Sequence, residues 1–398
     1  VAVPDWIWFV FIFAFGSCIG SFLNVVVYRM PRDKSLITPP SSCPSCGRHI
    51  RFYDNVPLVS WVLLGRKCRF CRAPISPRYF IIELLTAVVF LGLFIIYFNT
   101  DFIPGMVPLF RGGWLIYFMH IFLFGAFIAA SAIDLERWII PLAICWLVTI
   151  VGLIGSAVGP YFIGIASIRE DSLLPSASAA TGSLAAGGAI GLAISWGLLA
   201  CGLLKRSYET DEHAEAVKDE QKDNSTKDAP PESTKDLPEQ HFNHRLEAFR
   251  EIIFLLPIII CSLAAYWIIS NTVSIVTQNN FPTQHPVIAG FLGSLWGYFI
   301  GCGIVWGIRI FGTLAFGKEA MGLGDVHLMG AAGAVIGPVL VVVAFFIAPF
   351  FGLAWAGFQM FFKKIRQIPY GPFLSLGIFV VMILHDLILN RIGFILYR

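Results

Sequence analysis

The feature that most constrains this chain is a recurring apolar run of about 20 residues, enough to carry a helix across the hydrocarbon core of a bilayer. Such runs occupy 6–27, 80–98, 114–133, 142–158, 184–204, 252–270, 287–311 and 373–389. A further apolar stretch from 325 to 362 is broken at Gly337-Pro338. With 57% hydrophobic and 13% charged residues, and a mean hydropathy of +0.75, the chain has more apolar surface than a soluble domain could bury. A barrel would show short alternating segments instead, and the sequence has none. The expected fold is an all-α, polytopic integral membrane protein of roughly eight to ten transmembrane or re-entrant helices.

The net charge of +3 says little about partners, and nothing in the sequence points to nucleic acid. Its distribution says more. The loop 28–79 carries ten Lys or Arg against two acids, a bias that places it in the cytoplasm and the N-terminus outside. The first run lacks a charged start and a small-residue cleavage site, so it is read as a retained helix.

Four of nine cysteines fall in that loop, as Cys43-Pro44-Ser45-Cys46 and Cys68-Arg69-Phe70-Cys71. This is the spacing of a small four-cysteine, zinc-ribbon-like loop, in which two knuckles offer tetrahedral thiolates to zinc. Disulfides and a redox pair are the competing readings. A reducing cytoplasm opposes structural disulfides, and the paired knuckles, with Gly47 after the first, favour metal. His49 is expected at the surface. The other five, Cys18, Cys145, Cys201, Cys261 and Cys302, lie in apolar segments and read as small packing residues.

Two charged sites stand at membrane boundaries. One is Asp134, in the turn Asp134-Leu135-Glu136-Arg137 that precedes Pro141. The other is Asp325, behind two glycines in Met321-Gly322-Leu323-Gly324-Asp325. Gly322 and Gly324 lack Cβ atoms, so an extended substrate could approach Asp325 closely; the plainer reading is that Asp325 caps the next helix. The count of spans puts both acids on one face. Glu83 is expected to reach the interface or pair with an arginine, and Asp386 to be interfacial. His327 is expected either to tune Asp325 or to face the headgroups. Glycine-rich similarity between 184–204 and 287–311 is read as helix packing.

The organisation that follows is a first transmembrane helix (1–27), the cysteine loop (28–79), helices carrying the first Asp (80–204), a disordered charged cytoplasmic linker (205–251), and helices carrying the Gly-x-Gly-Asp motif (252–398).

Taken together, Gly20-Ser21-Phe22-Leu23-Asn24, the paired cysteines with Tyr53-Asp54-Asn55-Val56-Pro57 between them, Asp134 through Pro141, Met321 through Asp325 and Ile368 through Phe373 resemble the prepilin peptidases. The resemblance implies a bacterial inner-membrane endopeptidase that cleaves the leader of prepilin or pseudopilin precursors at the cytoplasmic face. It implies Asp134 and Asp325 as the catalytic pair. For bifunctional members it also implies methylation of the new N-terminus from S-adenosylmethionine, with methyl-donor residues unassigned here. The chemistry agrees, since peptide hydrolysis needs one carboxylate as base and one as acid.

The chain departs from the family pattern at His327, where Lys is frequent, at Leu142, and in an insertion from about 156 to 286. A noncatalytic membrane assembly factor, with the ribbon as docking module, is the rival reading. A proton-relay transporter ranks below it, because relays need acids through the bilayer depth.

Overall fold

The computed structural model describes residues 4–100, 102–103, 106–163, 173–205, 207, 243–362, 369–388 and 391. Most of the expected linker, 208–242, lies outside the described residues, as do 363–368.

Twelve α-helices follow in order among the described residues: α1 (Asp5–Arg29), α2 (Val59–Leu63), α3 (Pro77–Phe98), α4 (Gly113–Arg137), α5 (Leu142–Phe162), α6 (Ala179–Ala200), α7 (His244–Thr272), α8 (Ile275–Gln284), α9 (Pro286–Phe316), α10 (Leu323–Ile336), α11 (Pro338–Phe362) and α12 (Gly371–Ile383). Eight of them are long and apolar enough to cross a membrane. Strands are absent from the described residues, apart from two isolated bridges in the cysteine loop. The chain is a polytopic helical membrane protein, as its apolar runs imply.

Local chemistry sets the helix ends. Ser76 accepts from the Arg78 N–H ahead of α3, and Pro77 takes the first helical position, where its missing N–H is harmless. Ser178 and Thr181 form a reciprocal capping box at the start of α6. Gly337, at φ +82°, ends α10 and Pro338 opens α11. One boundary differs from expectation. Helix α7 starts at His244, inside the stretch read as linker, because Glu247 and Glu251 are buried against protein instead of solvated.

The break at Gly337 divides 325–362 into unequal pieces. Helix α10 has 14 residues, a rise of about 21 Å, too short for a core of about 30 Å. Beyond Asp325 and His327 in its first turns it is apolar on every side, and its residues from Leu328 to Gly333 are all buried, as expected of a helix enclosed by others. Helices α4, α5, α9, α11 and α12 surround it.

Small residues let these helices approach. A Cβ on Gly297 of α9 would fall 2.0 Å from the Gly333 carbonyl of α10, and one on Gly301 would fall 2.2 Å from that of Met329. Between α6 and α7, Gly187 and Gly191 meet the Cys261 and Pro257 carbonyls in the same way. Hydroxyls add hydrogen bonds across the seams: Ser195 donates to Phe254 O, Ser262 to Leu184 O, and Ser294 to Ala334 O. The glycine-rich similarity is therefore packing.

Candidate active site

Asp134 lies in the last turn of α4 and is 6% exposed. A carboxylate there faces the negative end of its own helix dipole. A second helix supplies compensation: the Gly371 N–H, at the start of α12, donates to Asp134 Oδ2 at 3.0 Å. One turn back, the Ser131 and Ser375 hydroxyls, 3.0 Å apart, join the same two helices. Beyond Asp134, Trp138 takes a left-handed conformation at φ 60°, and its N–H closes on the Asp134 carbonyl.

Asp325 lies in the first turn of α10, where the dipole favours an anion. Its carboxylate interacts with the Gly322 backbone amide, three residues earlier at the N-cap. Each acid thus faces a helix N-terminus, Asp134 that of α12 and Asp325 that of α10. The charges of the two acids interact. The capping geometry foreseen for Asp325 is present in part, with the acid reaching back to the cap from inside the first turn.

Ile140 links the two acid-bearing elements. A Cβ on Gly324 would lie 2.8 Å from Ile140 Cβ, and one on Gly371 would lie 3.3 Å from Ile140 Cδ1 and 2.7 Å from Asp134 Oδ2. At Gly324 the missing side chain also lets α10 seat against Ile140. Gly322 has room for a side chain. Tyr370 precedes Gly371, and burial together with the Asp325 charge pushes its phenol up to about 12.

The other charged residues singled out in the sequence find these partners. Glu83 is 8% exposed and accepts the Leu58 N–H at 2.8 Å, so a loop amide takes the place of the expected arginine. Arg78 pairs with Glu136 instead. His327 shares a hydrogen bond with Tyr298 and packs near Trp146, inside the seam of α5, α9 and α10. Asp386 pairs with His385.

The loop between α1 and α3 brings the Sγ atoms of Cys43, Cys46, Cys68 and Cys71 within 4.8 Å of one another. The two knuckles match. Gly47 N–H closes on Cys43 O and Arg72 N–H on Cys68 O, and the residue after each second cysteine is left-handed, Gly47 at φ 69° and Arg72 at φ 59°. The Cys71 and Phe70 N–H groups pull Cys68 down to about 6. Cys71, despite the Ala73 N–H that favours its thiolate, is pushed up to about 11 by burial and by the other thiols. Four crowded sulfurs of this kind suit a cation. His49 bridges to Ser42 outside the cluster.

The loop is fastened to the bundle by Glu83 and by Trp61 stacked on Phe80 at 4.7 Å, and just beyond it Arg78, at the start of α3, pairs with Glu136, near Asp134 in α4. The cysteines and both aspartates therefore sit at one end of the molecule.

Sequence reasoning missed Gly371, Ile140 and Arg309. Gly371 falls in Ile368 through Phe373, a stretch that carries the family resemblance without pointing to this residue. Its contribution is a backbone N–H, which no residue type announces.

A multi-pass helical membrane protein that gathers two carboxylates and a four-thiol cluster at one end defines the class. Within it, residues 14–97 match the model of the bacterial peptidase A24 N-terminal domain and residues 252–357 that of the type IV leader peptidase family. The chain is 36% identical over 162 residues to a prepilin leader peptidase/N-methyltransferase of Myxococcus xanthus, covering 40% of this chain and 43% of that protein. It is 38% identical over 144 residues to a type 4 prepilin-like proteins leader peptide-processing enzyme of Escherichia coli, covering 32% and 48%. A Pseudomonas aeruginosa prepilin leader peptidase/N-methyltransferase is 40% identical over 96 residues, covering 18% and 33%. The matches to the first two span about half the length of those relatives. No solved structure matches.

The resemblance to the prepilin peptidases is borne out in both segments. Asp325 lies inside the second and Asp134 between the two. Most of α7 also falls in the second, so the family match reaches into the expected insertion, 156–286.

Proposed function

We propose that this protein is a prepilin peptidase, cleaving the leader of prepilin or pseudopilin precursors with Asp134 and Asp325. The observation that carries the proposal is the pairing of two acids from distant parts of the sequence at one end of the bundle, each against a helix N-terminus. In hydrolysis, the ionised carboxylate takes a proton from the attacking water while the protonated one donates to the scissile carbonyl. Water oxygen bonds to the carbonyl carbon, the C–N bond breaks, and a proton passes to the leaving amine. The excess of Lys and Arg in 28–79 supports a cytoplasmic position for this end, with the N-terminus outside, and the resemblance to the prepilin peptidases supports the inner membrane.

Cys43, Cys46, Cys68 and Cys71 would hold a structural zinc ion. The 3.8 Å between the Cys43 and Cys71 sulfurs matches the edge of a tetrahedron whose Zn–S bonds are about 2.3 Å. The names of the Myxococcus and Pseudomonas relatives support a second activity, methylation of the new N-terminus from S-adenosylmethionine.

Co-expression with a prepilin-like substrate, with its N-terminus read by mass spectrometry, tests both activities. Asp134→Asn and Asp325→Asn should each abolish cleavage while leaving membrane insertion intact, and the wild-type product should carry an added methyl. Cleavage that persists in both variants would return a noncatalytic assembly factor to first place.

A further inference from the structure

The loop between α9 and α10 leads directly into Asp325, yet residues Lys318, Glu319 and Ala320 within it are exposed. Two side chains of α9 tie it down. Thr313 Oγ1 accepts the Ala320 N–H at 3.3 Å. Arg309, only 3% exposed, donates through Nη1 to the Met321 carbonyl and to Glu319 Oε1. Its Nε donates to Glu251 Oε1 at 3.0 Å and Oε2 at 3.3 Å.

Glu251, on α7 and 5% exposed, also receives Trp306 Nε1 at 2.8 Å and the Ser207 hydroxyl at 3.2 Å. A buried guanidinium needs such a partner, because leaving either charge unpaired is strongly unfavourable. Ser207 and Glu251 stand at the two ends of the charged linker. Both linker ends therefore converge on the group that holds Arg309, and Arg309 holds the carbonyl just before Gly322.

We infer that Arg309 is a positioning residue for Asp325, that it acts by fixing the Met321 carbonyl, and that Glu251 sets its orientation from the linker side. Only a planar fork can hold Glu251 through one nitrogen and the Met321 carbonyl through another; a lysine ammonium in its place keeps the charge and loses this geometry. Arg309 lies close enough for its charge to be felt at Asp325. The inference rests on the peptidase reading for its catalytic consequence, but not for its structural one.

The test uses the full chain in detergent with a purified prepilin-like substrate. Arg309→Lys should lower kcat by about 100-fold with KM little changed, the scale of effect expected when a catalytic group shifts by about 1 Å. Glu251→Gln should lower kcat less. The double variant should be no worse than Arg309→Lys alone, because both changes act through one contact. Amide exchange should quicken in 317–323 in both single variants and stay at wild-type rates elsewhere.

Unchanged exchange in that loop overturns the inference whatever the activity. So does a freed loop with normal kcat, or exchange that rises throughout the molecule. A wild-type enzyme whose cleavage does not depend on Asp134 and Asp325 would sink the peptidase reading, and the exchange measurement would still decide whether Arg309 anchors the loop.

Discussion

At the scale of single residues, the site depends on groups that differ greatly in how visible they are in a sequence. Asp134 and Asp325 stand out because a carboxylate at a membrane boundary is costly to keep there. Gly371 does not, because it acts through its amide and through the absence of a side chain. A methyl at position 371 would meet Asp134 Oδ2 at 2.7 Å, so the acid must move or give up the Gly371 N–H. Gly371→Ala should therefore reduce cleavage by about 10- to 100-fold, in line with the loss of one aligned donor or a small misplacement. The yield of folded protein should stay near normal, since the change lies at a helix start. Initial cleavage rates at matched expression decide this, and a wild-type rate would show that the amide contact is dispensable. Gly322→Ala is the control on the other acid. A Cβ there meets Asp325 Oδ2 at an ordinary 3.5 Å, so its effect should be much the smaller.

At the scale of elements, the cysteine loop shows how far spacing alone can take a prediction. The two Cys-x-x-Cys pairs implied matching knuckles, and the left-handed residues after Cys46 and Cys71 supply them. How the loop attaches to the bundle could not be read from the chain, because Glu83 binds the backbone N–H of Leu58 and not a charged side chain. The loop exposes Phe52, Val62 and Leu63 and buries few apolar groups, so a metal would supply much of its folding energy. Cys46→Ser, or treatment with a strong chelator, should lower bound zinc from about one equivalent towards none. It should also open 43–74 to limited proteolysis while the membrane helices stay protected. Metal analysis alongside mapping of the cut sites checks both. Purified wild type with less than half an equivalent of zinc would remove the metal from the account.

At the scale of the whole molecule, the apolar runs match seven of the eight membrane-length helices in order. The eighth, 338–360, is half of the broken stretch, and the run 373–389 overlaps the 13-residue helix Gly371–Ile383. The parity of the runs put both acids on one face. The sequence could not show which helix is enclosed. Helix α10 was recognisable only as half of an overlong apolar stretch, and its central position depends on contacts between glycines far apart in the chain. That seam also carries Asp325, since α10 begins with the acid and is held along its length by α9. Gly297 tests the arrangement sharply, because its missing Cβ would lie 2.0 Å from the Gly333 carbonyl, backbone that cannot swing aside. Gly297→Ala should force the two helices apart, at a cost of about 1–3 kcal/mol for overpacking or more. Thermal unfolding in detergent should fall by several degrees, with cleavage per folded molecule also reduced as α10 shifts. Gly303→Ala, on the same helix with nothing within 4 Å of the new methyl, should leave unfolding unchanged or raise it slightly, because alanine favours a helix over glycine by about 1 kcal/mol. If the two variants behave alike, α9 and α10 are not held by this seam, and the position of Asp325 would have to be set from the α9–α10 loop alone.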